Sequence, residues 1–385
     1  MWTKSFVTLF ITNMVFNMGM SMSLSLLSVY ADSMGASASA IGMLVGGYAI
    51  SSILLRPFAA SFIDSFNRKY IVIASCLMEA ISFLGYSVST NVAMLLVFRL
   101  IQGCGVVFGN ACCLVIAADM LPKETYSSGI GYYSLAQNIS QAVAPYVGLW
   151  LMEATGFQTT YRLTASVMFL AAILATQIGA GGSTGRRFQI SLAHVLAREA
   201  ILPASMIMIM NIGGTAVTSF LIIFATGRGV GKNIGLYFLI SAGAMLATRP
   251  LIGRLTDRFG IVYVCIPAFF VTIVSYIVIS GSKSLVGFIA AAVITAFGQG
   301  ACLPAMQALS MKAVPRERRG AASSTNYIGL DLGYLIGPLV AGRVVEAFGY
   351  VTMWYVMGIP FVIGMVILYY SKSRINETER RFAGG

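Results

Sequence analysis

The sequence predicts an all-α membrane protein whose twelve spanning helices form two pseudo-symmetric six-helix bundles. Three observations predict it. Only 10% of the 385 residues are charged and 58% are hydrophobic, too few charges to wet a soluble domain, which carries roughly 25%. Apolar runs of about 20 residues, each able to cross a ~30 Å hydrocarbon core as a helix, recur along the whole chain. One constant offset also relates the first half to the second without a gap.

Hydropathy places the spans near 5–30, 40–62, 70–88, 92–116, 129–152, 160–180, 200–224, 233–255, 260–281, 285–311, 321–346 and 351–371. No series of alternating ~10-residue strands suggests an outer-membrane barrel. Span 1 has Lys4 ahead of it and "ASASA" at 36–40 behind it, the outline of a secretory leader. Leader cores run only about 7–15 residues, so this span is expected to be retained. Span 1 also carries the polar stretch "NMVFNMGMSMSLSLLS", with Asn17 and Ser21 on one face by i+4 spacing. Span 5 carries "YYSLAQNISQ", where Asn138 and Gln141 share a face beside Gln137, and span 7 carries "NIGGTAVTS". The amides Asn13, Asn17, Gln137, Asn138, Gln141 and Asn211 either line a polar cavity or hydrogen-bond between helices.

Three ionisable residues fall in mid-span, where insertion costs about 2.5–3.5 kcal/mol and function is the default reading. At ~1.5 Å per residue, Glu79 lies about 14 Å into span 3 and Asp331 about 15 Å into span 11. Arg99 lies about 10 Å from the end of span 4. Asp331 reads as a proton or cation site. Glu79 reads as a cavity residue or as a partner of Arg99, and Arg99 as a functional cation or an ion pair that clips helices together.

Between spans 6 and 7 runs the longest connector, "GGSTGRRFQISLAHVLARE" at 181–199. It divides the chain into an N-terminal bundle (1–180) and a C-terminal bundle (200–371), followed by a tail (372–385). Its "SLAHVLARE" stretch reads as a short amphipathic helix or a solvated linker.

Lys and Arg set the orientation. One set of loops and ends holds Lys4, Arg68, Lys69, Lys123, Arg186, Arg187, Arg198, Arg254, Arg258, Lys312, Arg316, Arg318, Arg319 and the tail cations. The opposite set holds Arg162, Arg228, Lys232, Lys283 and Arg343. The richer side is expected to be cytoplasmic, with both termini on it.

A formal charge of +12 does not signal nucleic acid, because the cations are scattered at helix ends and form no stripe. Cys76, Cys104, Cys112, Cys113, Cys265 and Cys302 lie in apolar segments, where free cysteine acts as a small hydrophobe. No cysteine spacing suggests zinc. His194 stands alone in the connector. No metal, cofactor or catalytic pair is expected, and the absence of a phosphate-binding loop points to a gradient as the energy source.

The two halves are related by an offset of 193 residues (249 minus 56), which pairs "RPFAASFIDSFNRK" at 56–69 with "RPLIGRLTDRFG" at 249–260. It pairs Gly42 with Gly235, Asp64 with Asp257, Gly105 with Gly298, Pro145 with Pro338, Glu153 with Glu346 and Gly156 with Gly349. A single gapless register over this length is the mark of a tandem duplication. Six spans per copy is even, so both copies enter the membrane with the same polarity. They are then related by an axis along the membrane normal, as the two halves of major facilitator transporters are.

The residues resemble that family. "ASFIDSFNRK" is similar to its loop motif Gly-x-x-x-Asp-(Arg/Lys)-x-Gly-x-(Arg/Lys)-(Arg/Lys) between spans 2 and 3. Asp64, Arg68 and Lys69 match, whereas Ala60, Ser65 and Asn67 depart. Asn67 is the non-glycine best suited to a left-handed turn at the second Gly position. The second copy, "GRLTDRFG", keeps both glycines with Asp257 and Arg258. "RLIQGCG" at 99–105 resembles the span-4 motif Arg-x-x-x-Gly-x-Gly through Arg99, Gly103 and Gly105.

The resemblance covers essentially the whole chain. It implies that Asp64, Arg68, Lys69, Asp257 and Arg258 gate one face, since a carboxylate near a helix N-terminus gains roughly 0.3–1 kcal/mol. It also implies that Arg99 serves proton coupling, with Asp331 and Glu79 as the candidate partners their mid-span charge suggests, and that spans 1, 4, 7 and 10, helped by 5 and 11, line a substrate cavity. "SQAVAPYVG" and "GYLIGPLVAG" are copies of a Gly-Pro element linked in exporters to antiport; Gly333, Gly337 and Pro338 keep it, whereas span 5 keeps Pro145 but has Ser140 and Ala144. Small residues there permit close helix approach. The implied protein is a monomeric transporter of the inner membrane, moving a small molecule outward in exchange for protons that enter down their gradient. A proton symporter importing a small polar nutrient is the alternative.

Overall fold

The structure, a computed structural model, describes residues 3–121, 126–179, 196–315 and 318–383. The first half holds α1 (Lys4–Ser33), α2 (Ala38–Ser65), α3 (Arg68–Val88), α4 (Val92–Met120), α5 (Tyr126–Thr155) and α6 (Phe157–Ala175). The second holds α7 (Ile201–Gly227), α8 (Gly235–Phe259), α9 (Ile261–Gly281), α10 (Leu285–Lys312), α11 (Arg319–Val356), α12 (Ile359–Tyr370) and α13 (Lys372–Ala383). No strand occurs among the described residues. Eight stretches among them are long and apolar enough to cross a membrane. One of these, Arg319–Tyr370, runs 52 residues, about 78 Å as a helix and so enough to cross twice.

Local chemistry starts and stops these helices. Thr3 caps α1 by accepting from the Phe6 amide at 3.2 Å, and Asn91 caps α4 by accepting from Met94 at 2.9 Å. Gly156 separates α5 from α6 at φ +80°, and Gly349, its partner in the repeat, breaks α11 internally at φ +80°. The same residue, at the same place in each copy, ends the fifth helix of each half. Asn67 departs from expectation. Its φ is −68° and it caps α3, accepting from the Lys69 amide at 3.0 Å, while Gly260 in the second copy is left-handed at φ +88°. An asparagine side chain satisfies the first-turn amides directly, so no left-handed turn is needed.

The chain forms two compact units, Met1–Ala36 with Gly47–Ile190, and Ser37–Gly46 with Ser191–Gly385. In the first, α3 packs on α4 and α6, and α1 on α5. A core of Phe6, Leu9, Phe16, Val72, Cys76, Cys112, Cys113 and Ile116 fills one end of that bundle. In the second unit, α7 packs on α11, and α10 on α8 and α9. The opening residues of α2 belong to this unit. A side chain at Gly42 would strike the Pro338 carbonyl, one at Gly342 would strike that of Ala38, and the Ser39 hydroxyl donates to the Glu346 carboxylate.

Most of the 181–199 connector lies outside the described residues; its described end leads into a single 3₁₀ turn at Arg198–Ala200. The tail is helical through α13. Ile375 is buried, Lys312 and Glu379 lie 3.8 Å apart, and the Lys372 ammonium sits 4.4 Å from the Tyr263 ring centre.

Candidate functional site

Two of the three mid-span ionisable residues meet in the first unit. Glu79 of α3 is wholly buried and Arg99 of α4 is 1% exposed. Gln102, one turn after Arg99 and also wholly buried, stands between them. Its Nε2 donates to Glu79 Oε2 at 2.8 Å and to Ser23 Oγ of α1 at 3.1 Å. Its Oε1 accepts from Arg99 Nη1 at 2.5 Å and from the Tyr86 hydroxyl of α3 at 2.8 Å. Arg99 Nη1 also donates to Ser23 at 3.0 Å, and its guanidinium lies 4.9 Å from the centre of the Tyr48 ring on α2. Glu79 Oε1 is buried and has no hydrogen-bond partner among the described residues.

Small residues let these helices close around the cluster. A Cβ at Gly103 would strike the Tyr48 carbonyl of α2, and one at Gly105 would lie 3.1 Å from the Ser75 carbonyl of α3. Gly298 meets the Ala268 carbonyl of α9 in the same way, at 2.9 Å. Positions 105 and 298, like 75 and 268, are 193 apart, so the sequence register holds at this helix crossing.

A second polar group lies further along α1. Asn13 is wholly buried and Asn17 nearly so. Asn17 Nδ2 donates to Asn13 Oδ1 at 3.0 Å and to Asn110 Oδ1 of α4 at 3.3 Å, and the Tyr133 hydroxyl of α5 donates to Asn13 Oδ1 at 3.0 Å. Within the first unit these two amides bond between helices. On α5, Gln137 and Asn138 are half-buried and Gln141 is exposed. Ser140, where the Gly-Pro pattern has glycine, donates to the Met14 carbonyl at 2.8 Å, and Pro145 lies inside α5.

In the second unit Asp331 of α11 is 2% exposed. α11 also packs closely on α7, through a stripe of small residues that lies on the helix face opposite Asp331. A Cβ at Gly333 would meet Met208 O at 2.7 Å, and one at Gly337 would meet Ile212 O at 2.5 Å. Asn211 sits against Gly333 and turns its amide to its own helix, donating to Ile207 O at 2.8 Å. Pro338 lies within α11 one residue after Gly337.

Of the expected gating residues, Arg68 is buried and pairs with Asp119 at the end of α4, and its Nε donates to Ile63 O at 3.4 Å. Lys69 is half-buried; Arg258 is exposed, its guanidinium 5.2 Å from the Phe259 ring centre. The side chains of Asp64 and Asp257 lie outside the described residues. Sequence reading missed Gln102, Ser23, Tyr86, Asn110, Tyr133 and Asp119. Three of these left a trace: Gln102 lies in "RLIQGCG" three residues after Arg99 and so on the same helix face, and Ser23 and Tyr133 lie in the polar stretches of spans 1 and 5.

Comparison with known proteins agrees along the chain. The profile of the Major Facilitator Superfamily matches residues 9–291 and again 204–385. The multi-drug resistance efflux pump PmrA of Streptococcus pneumoniae is 23% identical over 382 residues, covering 92% of each chain. The quinolone resistance protein NorA of Staphylococcus aureus is 21% identical, covering 98% of this chain and 99% of its own. The multidrug resistance protein MdtG of Enterobacter lignolyticus is 25% identical, covering 98% and 93%. Among solved structures, the nucleoside transporter NupG superposes with a TM-score of 0.76 at 14% identity, covering 96% of this chain and 99% of its own. A bacterial homologue of the human lysosomal transporter Spinster gives 0.78 at 16%, covering 97% of each. At these identities the superpositions establish the fold alone.

Proposed function

The chain belongs to the major facilitator superfamily, and from that membership we propose that it exports amphipathic drugs or metabolites across the cell membrane, driven by protons through alternating access. The observation that carries the reading is the burial of Glu79, Arg99 and Asp331 inside helices of a chain whose full-length relatives include multidrug efflux pumps. Ionisable groups are retained in a membrane interior at a cost of a few kcal/mol each, and a proton-driven cycle requires such groups. Asp331 takes up and releases the proton, Arg99 modulates it, and Asp64 with Arg68, Lys69, Asp257 and Arg258 gates the loop face. Both termini lie on the cytoplasmic side, where the Lys/Arg-rich loops lie. Gln137, Asn138 and Gln141 supply polar groups for an amphipathic substrate, while Asn13, Asn17 and Asn211, bonded to other groups in this state, would have to exchange those bonds to reach it.

Import by proton symport is the second reading, and Ser140 and Ala144 in place of the span-5 glycines favour it. Inside-out vesicles energised with an inward-acid proton gradient separate the two. Accumulation of amphipathic dyes that stops when the gradient is collapsed supports export. Failure to accumulate any of a broad dye panel, with uptake of small polar nutrients by right-side-out vesicles, would replace it with import.

A further inference from the structure

The repeat supplies an internal control for the Glu79 cluster. Glu79, Arg99 and Gln102 correspond at the 193 offset to Thr272, Ala292 and Thr295, at the crossing of α9 and α10 whose register the Gly298 contact fixes. That crossing is held by hydroxyls. Thr295 Oγ1 lies 3.0 Å from the Tyr237 hydroxyl of α8 and 2.6 Å from Ser275 Oγ of α9, while Thr272 donates to the Ala268 carbonyl at 3.0 Å. One copy of the unit thus closes this helix pair with no charge, while the other keeps a carboxylate and a guanidinium there. Packing does not account for the difference.

We infer that Glu79 is a second proton-binding site, enclosed in the first unit and separate from Asp331, and that Gln102 is the positioning residue that ties its protonation to Arg99. The inference rests on the proton-driven reading above. Arg99 can only donate and an ionised Glu79 can only accept, so Gln102 can serve both in one orientation only. Turning the amide over would face its NH₂ toward Arg99. Ionised, Glu79 takes the Gln102 hydrogen bond and leaves Oε1 bare. Protonated, it can still accept from Gln102 through its carbonyl oxygen and gains an O–H donor. The two states therefore satisfy the pocket differently, and Gln102, bonded to α1 through Ser23 and next to Tyr86, reports the difference to Arg99 and the Tyr48 ring. The titratable groups around Glu79 and Arg99 are Cys76 and Tyr86 of α3, Tyr161 of α6 and Tyr48 of α2; α1 contributes the hydroxyl of Ser23.

The test follows the infrared C=O band of protonated carboxylic acids while the purified full-length protein in lipid vesicles is titrated with acid. The native-minus-Glu79→Gln difference spectrum is expected to contain a titrating band, which separates Glu79 from Asp331 and the other carboxyl groups. Gln102→Leu should displace the band and move its midpoint by about ten- to hundredfold in proton concentration, the scale of one hydrogen bond to a charged group. Gln102→Asn, which keeps an amide, should restore part of that shift. Transplanting the second-copy residues (Glu79→Thr, Arg99→Ala and Gln102→Thr together) should keep the helical circular dichroism signal and lose the band. A native-minus-Glu79→Gln difference spectrum without a titrating band, or a midpoint of that band that Gln102→Leu leaves in place, overturns the inference. The readout needs no substrate, so it can fail while dye export and its dependence on Asp331 stand, and it can succeed while export fails.

Discussion

Gly156 and Gly349 show how much a single residue fixes. Both hold φ +80°, with ψ 164° and 168° respectively, a region open essentially to glycine alone, which costs a residue with a Cβ about 1–3 kcal/mol. Gly349→Ala is expected to lower stability by that amount, read as a fall in the thermal midpoint of the purified protein, although nothing lies within 4 Å of the added methyl. The Arg68–Asp119 pair is expected to contribute far less. The Asp119 side chain is 57% exposed, so Asp119→Asn should cost about 1 kcal/mol or less, and a double-mutant cycle with Arg68→Gln should return a coupling of that size. Mid-span carboxylates and cations stood out in the sequence because charge in an apolar run is visible by composition. Gln102 did not, because an amide is ordinary in a membrane helix until its two ends are seen to face a carboxylate and a guanidinium. Asn67 matched a glycine position in sequence, yet its side chain caps α3 and removes the need for a glycine-like backbone.

At the scale of the element, α7 and α11 approach because Gly333 and Gly337 have no side chains. Between lipid-embedded helices this contact, and not hydrophobic burial, supplies the attraction. Gly337→Leu should force the pair apart by driving carbon into the Ile212 carbonyl and Thr215. The expected result is loss of folded protein on size-exclusion chromatography, whereas Gly243→Leu, where nothing lies within 4 Å of a Cβ, should elute as the native chain does. α13 was not legible as structure, since its charged run reads as a solvated tail. It docks through Ile375, the Lys312–Glu379 pair and Lys372 on Tyr263. Ile375→Ala is expected to cost about 2–3 kcal/mol, and protease cleavage of the tail in the intact protein should accelerate accordingly.

For the molecule as a whole, hydropathy and the constant offset carried the element order and the duplication, because span length and repeat register are both one-dimensional signals. The places where the copies differ were harder to read. Arg68 and Asp119 pair in the first copy, and their counterparts Ile261 and Lys312 cannot. The Glu79–Gln102–Arg99 cluster has hydroxyls as its counterpart in the other copy. Such differences need coordinates, since each depends on which side chains meet across helices. The duplicated scaffold accounts for the fold, and the unshared charges account for the proposed coupling. Proton-driven dye transport into inside-out proteoliposomes, native against Asp331→Asn, tests that coupling most directly. The account predicts that the variant folds, binds dye and loses gradient-driven accumulation; undiminished accumulation by Asp331→Asn would contradict it.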